Sequence, residues 1–177
     1  MKGRVYKLVD RAVNYARIKS PWILHLDVAG CNGCSIETFA ALSPRYDLER
    51  FGIVSKANPR HTDILIIGGA VSRKIKNQLR RIYDQTPDPK VVVAVGSCAI
   101  TKGVFHDSYN IVGPLDKIMP VDVYVYGCPP KPENIINGVV KGLGIWQRKA
   151  RAMKEKQKEH KEESKAGSKE DAMGKGL

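Results

Sequence analysis

A chain of 177 residues with 42% hydrophobic and 7% aromatic content can bury one ordinary core, so one compact domain is expected rather than two. Its formal charge is +12, of which +4 falls on residues 148–177 and +8 on the rest, so the body is basic in its own right and suits nucleic acid, anionic lipid or an acidic protein. No apolar run reaches the roughly 18–20 residues that cross a bilayer and no signal peptide precedes the body. The expectation is a soluble or peripheral protein on the cytoplasmic side, where a disulfide framework is disfavoured.

In chain order, Val5, Leu8, Val9, Ala12, Val13 and Ala16 recur at helical spacing opposite Arg4, Lys7, Arg11 and Arg17. They predict a basic amphipathic helix within residues 1–20, stopped by Pro21. Such a helix lies either on its own domain or at a membrane surface or partner groove. From residue 21 to 146 the pattern alternates. Segments 22–28, 51–54, 64–67, 91–95 and 121–126 read as strands, the third and fourth almost wholly aliphatic, as in strands covered on both faces. Helices are expected at about 35–43, 73–84 and 132–143, the last opened by Pro132 and Glu133. Alternating elements of this length predict an α/β fold, a flavodoxin-like doubly wound and mostly parallel sheet with helices on both faces. Residues 147–177 are poor in apolar side chains. They read as a charged tail that continues the last helix at first and ends in disorder.

The chemistry of the chain lies in its four cysteines. Cys31 and Cys34 form Gly30-Cys31-Asn32-Gly33-Cys34 after the first strand, Cys98 stands in Gly96-Ser97-Cys98 after the fourth, and Cys128 in Gly127-Cys128-Pro129-Pro130 after the fifth. With 63 residues between Cys34 and Cys98 and 29 between Cys98 and Cys128, no local finger can form. The fold must gather them, and placement after strands puts all four at the carboxyl edge of the sheet, where open α/β sheets bind ligands. Four thiolates hold either tetrahedral zinc or an iron–sulfur cluster. The flanking glycines allow close backbone approach to a bulky inorganic core, and the prolines stiffen the last loop. Three plainer readings compete. Cysteines are also small buried hydrophobes, structural zinc sites are also built from thiolates though usually as two short pairs, and a thiol-exchange pair would use Cys31 and Cys34 alone.

Beyond single motifs, a longer ordered set is present: Cys31-Asn-Gly-Cys34-Ser-Ile-Glu37, Pro59-Arg60-His61-Thr62-Asp63, Tyr83-Asp84-Gln85-Thr86-Pro87-Asp88-Pro89, Gly96-Ser97-Cys98-Ala99, Pro120-Val121-Asp122-Val123-Tyr124-Val125 and Gly127-Cys128-Pro129-Pro130-Lys131-Pro132-Glu133. Over roughly residues 18–145 it resembles the small electron-transfer subunit shared by respiratory complex I and membrane-bound nickel–iron hydrogenases. The C-x-G-C spacing is that of the hydrogenase branch, whereas complex I proper has two adjacent cysteines there; Glu37 is placed as in complex I and the energy-converting hydrogenases. The mixture resembles archaeal or bacterial membrane-bound hydrogenase and the related sulfane sulfur reductase.

The resemblance implies one [4Fe–4S] cluster on Cys31, Cys34, Cys98 and Cys128. It implies a peripheral position on the cytoplasmic side of the cell membrane and three kinds of partner: a ferredoxin-like subunit with further clusters, a catalytic large subunit, and ion-translocating membrane subunits. The catalytic site, for proton or sulfane sulfur reduction, would lie on the large subunit, and this chain would carry no catalytic residue. Arg60 and His61 are candidates for tuning the cluster, or are ordinary exposed loop residues. Glu37 is a proton-path carboxylate, or a charge favourably placed near a helix N-terminus. Gly68 and Gly69 allow close approach to the cluster, or a plain helix-entry turn. Two other readings are a quinone-reducing complex I subunit and a zinc-stabilised basic nucleic-acid-binding α/β protein. No nucleic acid is expected, because the strand-end loops hold no aromatic platform and no recognised nucleic-acid motif.

Overall fold

The computed structural model describes residues 9, 12–13, 15–17 and 19–173, with side chains described to residue 156. Most of the expected N-terminal helix lies outside the described residues. Those described, at 9, 12–13, 15–17 and 19, are helical, and Val9, Val13 and Tyr15 are exposed.

Seven strands and four α-helices follow. The strands are β1 (Trp22–Asp27), β2 (Val54–Ser55), β3 (Ile64–Gly68), β4 (Val71–Ser72), β5 (Val91–Val95), β6 (Ile111–Gly113) and β7 (Val123–Val125). The helices are α1 (Gly33–Leu42), α2 (Lys76–Gln85), α3 (Ser97–Thr101) and α4 (Pro132–Met173). Five strands form the main sheet in the order β2-β1-β3-β5-β7, every pair parallel. That is the expected flavodoxin-like winding, in which the chain starts near the middle, steps to one edge and returns across the other half. The central β3 and β5 are buried at every residue, as near-continuous Ile and Val in a doubly covered sheet require.

Alternate residues feed two cores. Ile23, Ile64, Ile66, Val91, Val93 and Val95 face Ala41 of α1 and Ile135, Val139 and Trp146 of α4. Leu24, Leu65, Ile67, Val92 and Ala94 face Leu79 of α2 and Ala99 of α3. α4 lies close on the sheet because of its glycines: a Cβ on Gly138 would stand 2.4 Å from Val125 Cγ2, and one on Gly142 3.3 Å from Val91 Cγ1. Where α4 leaves the sheet, the Trp146 Nε1–H donates to the Pro89 carbonyl at 2.7 Å and Lys149 Nζ meets Asp122 Oδ1 at 2.7 Å.

Four local differences from expectation have simple causes. The strand expected at 51–54 begins at Val54, because Phe51 ends a 3-10 turn (Leu48–Phe51) and Gly52 takes φ +84°. The Gly96-Ser97-Cys98 loop is the entry to the five-residue helix α3 rather than a loop throughout. β4 and β6 make a separate antiparallel pair too short to leave an alternating pattern. The last helix, patterned over about 132–143 and expected to continue into the start of the tail, runs on to Met173; the loss of apolar residues there removes a packing face, while Lys, Glu, Ala, Arg and Gln remain strong helix formers.

Candidate metal centre

The three cysteine segments meet at the carboxyl ends of β1, β5 and β7 and are tied there by main-chain hydrogen bonds. The Val28 amide donates to the Gly68 carbonyl and the Ala70 amide to Ala29, fastening the first loop to the turn after β3. The Gly96 amide donates to Val125, and the Ser97 amide and hydroxyl both donate to the Gly127 carbonyl, fastening the Cys98 segment to the Cys128 segment. Asn32 bridges the first pair in a left-handed conformation at φ 68°, just before α1. Cys34 therefore sits in the first turn of α1 and Cys98 in the first turn of α3, not in open loops.

Small residues leave room for the sulfurs. At Gly96, with φ +84°, a Cβ would lie 2.5 Å from Cys34 Sγ; at Gly103 it would lie 3.0 Å from Cys98 Sγ; at Gly68 it would lie 3.4 Å from Cys34 Cβ. Gly69, at φ +88°, turns the chain where a Cβ would meet the Ala29 carbonyl oxygen at 2.6 Å. Gly68, which ends β3, stands beside Cys34, whereas the turn at Gly69 leads into β4 and not into a helix as expected.

The thiols lie close enough to act on one another. Burial pushes Cys34 up to about 11, and the charges of Cys98, Cys31, Cys128 and Asp27 add to it. Cys98 is also raised, first by burial and then by Cys128 and Cys31, against a hydrogen bond from the Val104 amide. Cys34 and Cys98 resist ionising in this setting unless a cation compensates them, and a bound metal deprotonates coordinating thiols outright. Among the described residues, no group of three His, Cys, Asp or Glu could hold a single metal ion. The donor chemistry, four sulfurs gathered beside Gly68, Gly96 and Gly103, is that of a thiolate-held metal group.

Cys31 and Cys128 are exposed, Cys34 half-buried and Cys98 buried, so the recess opens outward. Two apolar residues close to the cysteines in the chain, Ile36 on α1 and Val104 beside Gly103, are each more than half exposed. Exposed apolar groups around a recess are characteristic of a protein-covered surface.

The other expected residues separate into two places. Glu37 stands three residues after Cys34 on α1, half-buried, so helical spacing puts both on one face. Arg60 and His61 form a 3-10 turn (Pro59–His61) before β3, with His61 edge-on to Trp22 at 5.6 Å. That is the amino end of the sheet, separated from the cysteine edge by roughly 13 Å of strand. The structure does not bring them together with the thiols. Asp27, which sequence reading did not single out, does belong to the recess: it ends β1, accepts the Ser35 hydroxyl at 2.7 Å and acts on Cys34 and Cys98. Its position as an acidic strand end beside Gly30 was the available signal.

Comparison with known proteins agrees with this architecture. The family model described as NADH ubiquinone oxidoreductase, 20 Kd subunit, matches residues 31–142. The chain is similar to the probable membrane-bound hydrogenase subunit mbhJ of Pyrococcus furiosus, with 50% identity over 125 residues, 71% of this chain and 75% of that one. It is also similar to formate hydrogenlyase subunit 7 of Escherichia coli, with 46% identity over 86% of this chain and 56% of that protein. Among solved structures it resembles a chain of the membrane-bound sulfane sulfur reductase, an archaeal respiratory membrane complex, at 43% identity and TM-score 0.67, covering 77% of this chain and 76% of that one. A chain of the NAD+-reducing [NiFe]-hydrogenase shares the fold at 23% identity and TM-score 0.56, over 70% of this chain and 91% of that one.

Proposed function

Because the chain belongs to the family of the NADH ubiquinone oxidoreductase 20 kDa subunit, we propose that it binds one [4Fe–4S] cluster on Cys31, Cys34, Cys98 and Cys128 and serves as an electron-transfer subunit. The complex is a membrane-bound oxidoreductase. Electrons enter from a ferredoxin-like subunit and leave to a catalytic large subunit, for hydrogenase or sulfane sulfur chemistry, on the cytoplasmic side of a membrane whose ion-translocating subunits are coupled to the reaction. The observation that carries the reading is the convergence of four mutually interacting thiols from three strand ends in one glycine-lined recess. When bound, a [4Fe–4S] cluster supplies one-electron chemistry at a potential set by its surroundings.

The residues of this chain do the rest. Gly96 and Gly103 keep side chains out of the space beside Cys34 and Cys98. The Val104 amide donates toward Cys98 and lowers the electron density on its sulfur. Asp27 holds negative charge at the recess and is itself fixed by Ser35. Exposed Ile36 and Val104, next to the Cys34 and Cys98 segments in the chain, are apolar groups against which a subunit would close to exclude water. Among the described residues no helix is long and apolar enough to cross a membrane, so attachment would run through other subunits or a surface contact.

Anaerobic purification with iron and sulfide analysis tests the reading. Wild type should hold about four irons and four sulfides per chain. Cys98→Ser and Cys128→Ser should lose the normal reduced electron paramagnetic resonance signal while keeping the circular dichroism of the fold. A colourless wild type holding a single zinc, or a serine variant with an unaltered cluster spectrum, would overturn the assignment.

A further inference from the structure

We propose that the outer face of α2 is a docking surface for an acidic polypeptide segment of another subunit, an inference that rests on the multisubunit reading above. Between Asp63 and Asp84 the chain holds no acidic residue but five cations, Arg73, Lys74, Lys76, Arg80 and Arg81. They lie on α2 and in the turn before it, which winds into the helix as the Ile75 amide donates to the Ser72 carbonyl. Ile75, Leu79 and Ile82 seat α2 on the core that holds Leu65, Ile67 and Val92. At ~100° per residue, Arg73, Arg80 and Arg81 then fall within about 55° of the opposite, outward direction, with Lys74 and Lys76 on its two flanks. Arg73, Lys74, Arg80 and Arg81 are exposed and Lys76 is half-buried. The Pro59–His61 turn packs against α2, and its exposed Arg60 adds a sixth cation beside the helix.

This charge is not paired, and it does not serve the helix. Among the described residues no carboxylate lies within salt-bridge distance of these cations; the ion pairs present are Arg17–Asp63, Lys90–Asp88, His106–Asp107 and Lys149–Asp122. Lys76 stands in the first turn of α2 and Asp84 in the last, the reverse of the order that the helix dipole favours. Lys76 and Arg80 are like charges four residues apart, a destabilising spacing. Asp84, four residues after Arg80, offsets only the far end of the face. Carboxylates supplied from outside would relieve what the chain itself leaves uncompensated.

The residue types select the partner. Arginine provides four of the six cations, and its planar fork suits bidentate bonds to fixed oxygens where a lysine is a point charge. Between Phe51 and Val104 no large apolar side chain is exposed, so the face offers neither a stacking platform for bases nor an apolar group to enter a lipid layer. From Arg73 to Arg81 is ~12 Å along the helix axis, the reach of about four residues of extended chain. A short run of aspartate or glutamate therefore meets the whole row.

The test is fluorescence anisotropy of a labelled oligoglutamate peptide of about ten residues, long enough to cover the row, titrated with the full, cluster-loaded chain at low ionic strength. Wild type should bind the peptide and release it with salt. The variant R73Q/R80Q/R81Q should bind about tenfold more weakly or worse. The variant R151Q/K154Q/K156Q, which removes the same charge from exposed positions of α4, should weaken binding less than about threefold. Both should keep the circular dichroism and visible absorption of wild type. Undiminished binding by R73Q/R80Q/R81Q overturns the proposal, and so does an equal loss in the two variants, which would reduce the effect to net charge. Tighter binding to phosphatidylglycerol vesicles or to an oligonucleotide duplex, lost in R73Q/R80Q/R81Q, also overturns it by assigning the face to lipid or nucleic acid. A wild type without cluster absorption would overturn the electron-transfer reading instead, and the peptide titration, which needs no cluster, would still decide this one.

Discussion

Replacing Gly96 by alanine is expected to empty the metal centre while sparing most of the fold. The backbone at Gly96 has φ +84° and ψ 158°, in a region essentially restricted to glycine, and holding alanine there costs about 1–3 kcal/mol. The added Cβ would stand 2.5 Å from Cys34 Sγ, well inside van der Waals contact, and overpacking of that kind costs a further ~1–3 kcal/mol unless the thiol moves away. The cheaper response is displacement of Cys34, which lies in the first turn of α1. Urea unfolding should show a loss of about 2–4 kcal/mol, and iron content should fall far more steeply than stability does. Gly144→Ala is the control: no atom lies within 4 Å of its Cβ and the position is helical, so stability should stay level or rise by about 0.4–1 kcal/mol with iron content unchanged. A Gly96→Ala protein holding a full complement of iron, with stability within error of wild type, would refute the reasoning.

Trp146→Phe removes the donor to the Pro89 carbonyl from a fully buried site and should lower stability by about 1–3 kcal/mol in denaturant titration; no change would mean that the bond contributes nothing. Burial raises the carboxyl of Asp63 above its usual range, against the Trp22 amide and Arg17, so the native state binds more protons than the unfolded one. Stability from this group is therefore lost as pH rises from about 3.9 through its folded value, and Asp63→Asn should flatten that part of the stability–pH profile. Asp27→Asn removes negative charge that acts on Cys34 and Cys98, which should raise the midpoint potential in a redox titration. Arg60→Gln, at the other end of the sheet, should leave that potential unchanged.

What the sequence disclosed, and what it concealed, follows from how each feature is encoded. The four cysteines could be placed at one edge because each follows an aliphatic strand, and direction along a strand fixes which edge its end joins. The same rule applies to Arg60 and His61: they precede β3, which puts them at the amino pole, whereas residue type alone had suggested a tuning role. Asp27 was legible only in retrospect, since an acid at a strand end is common and its bond to Ser35 depends on how α1 returns over β1. The sheet order was readable from alternating elements, but β4 and β6 were not, because two- and three-residue strands carry no period. The length of α4 was hidden because amphipathic patterning marks packing against a core, and beyond Ala150 no residue of the helix joins the two core clusters.

The sheet order also governs when the recess can exist during folding. Cys31 and Cys34 hang on β1, near the centre of the sheet and early in the chain; Cys98 belongs to β5 and Cys128 to β7, the outermost strand on that side and the last to be synthesised. Parallel pairing proceeds by long-range closures that are slow compared with local helix formation. A sheet of β1, β3 and β5 alone would bring together only Cys31, Cys34 and Cys98 and would lack the Gly127 carbonyl that Ser97 uses. The fourth sulfur arrives only when β7 zips onto β5 and the first half of α4 folds down behind it. The four cysteines therefore share one edge only when β1, β3, β5 and β7 are all paired.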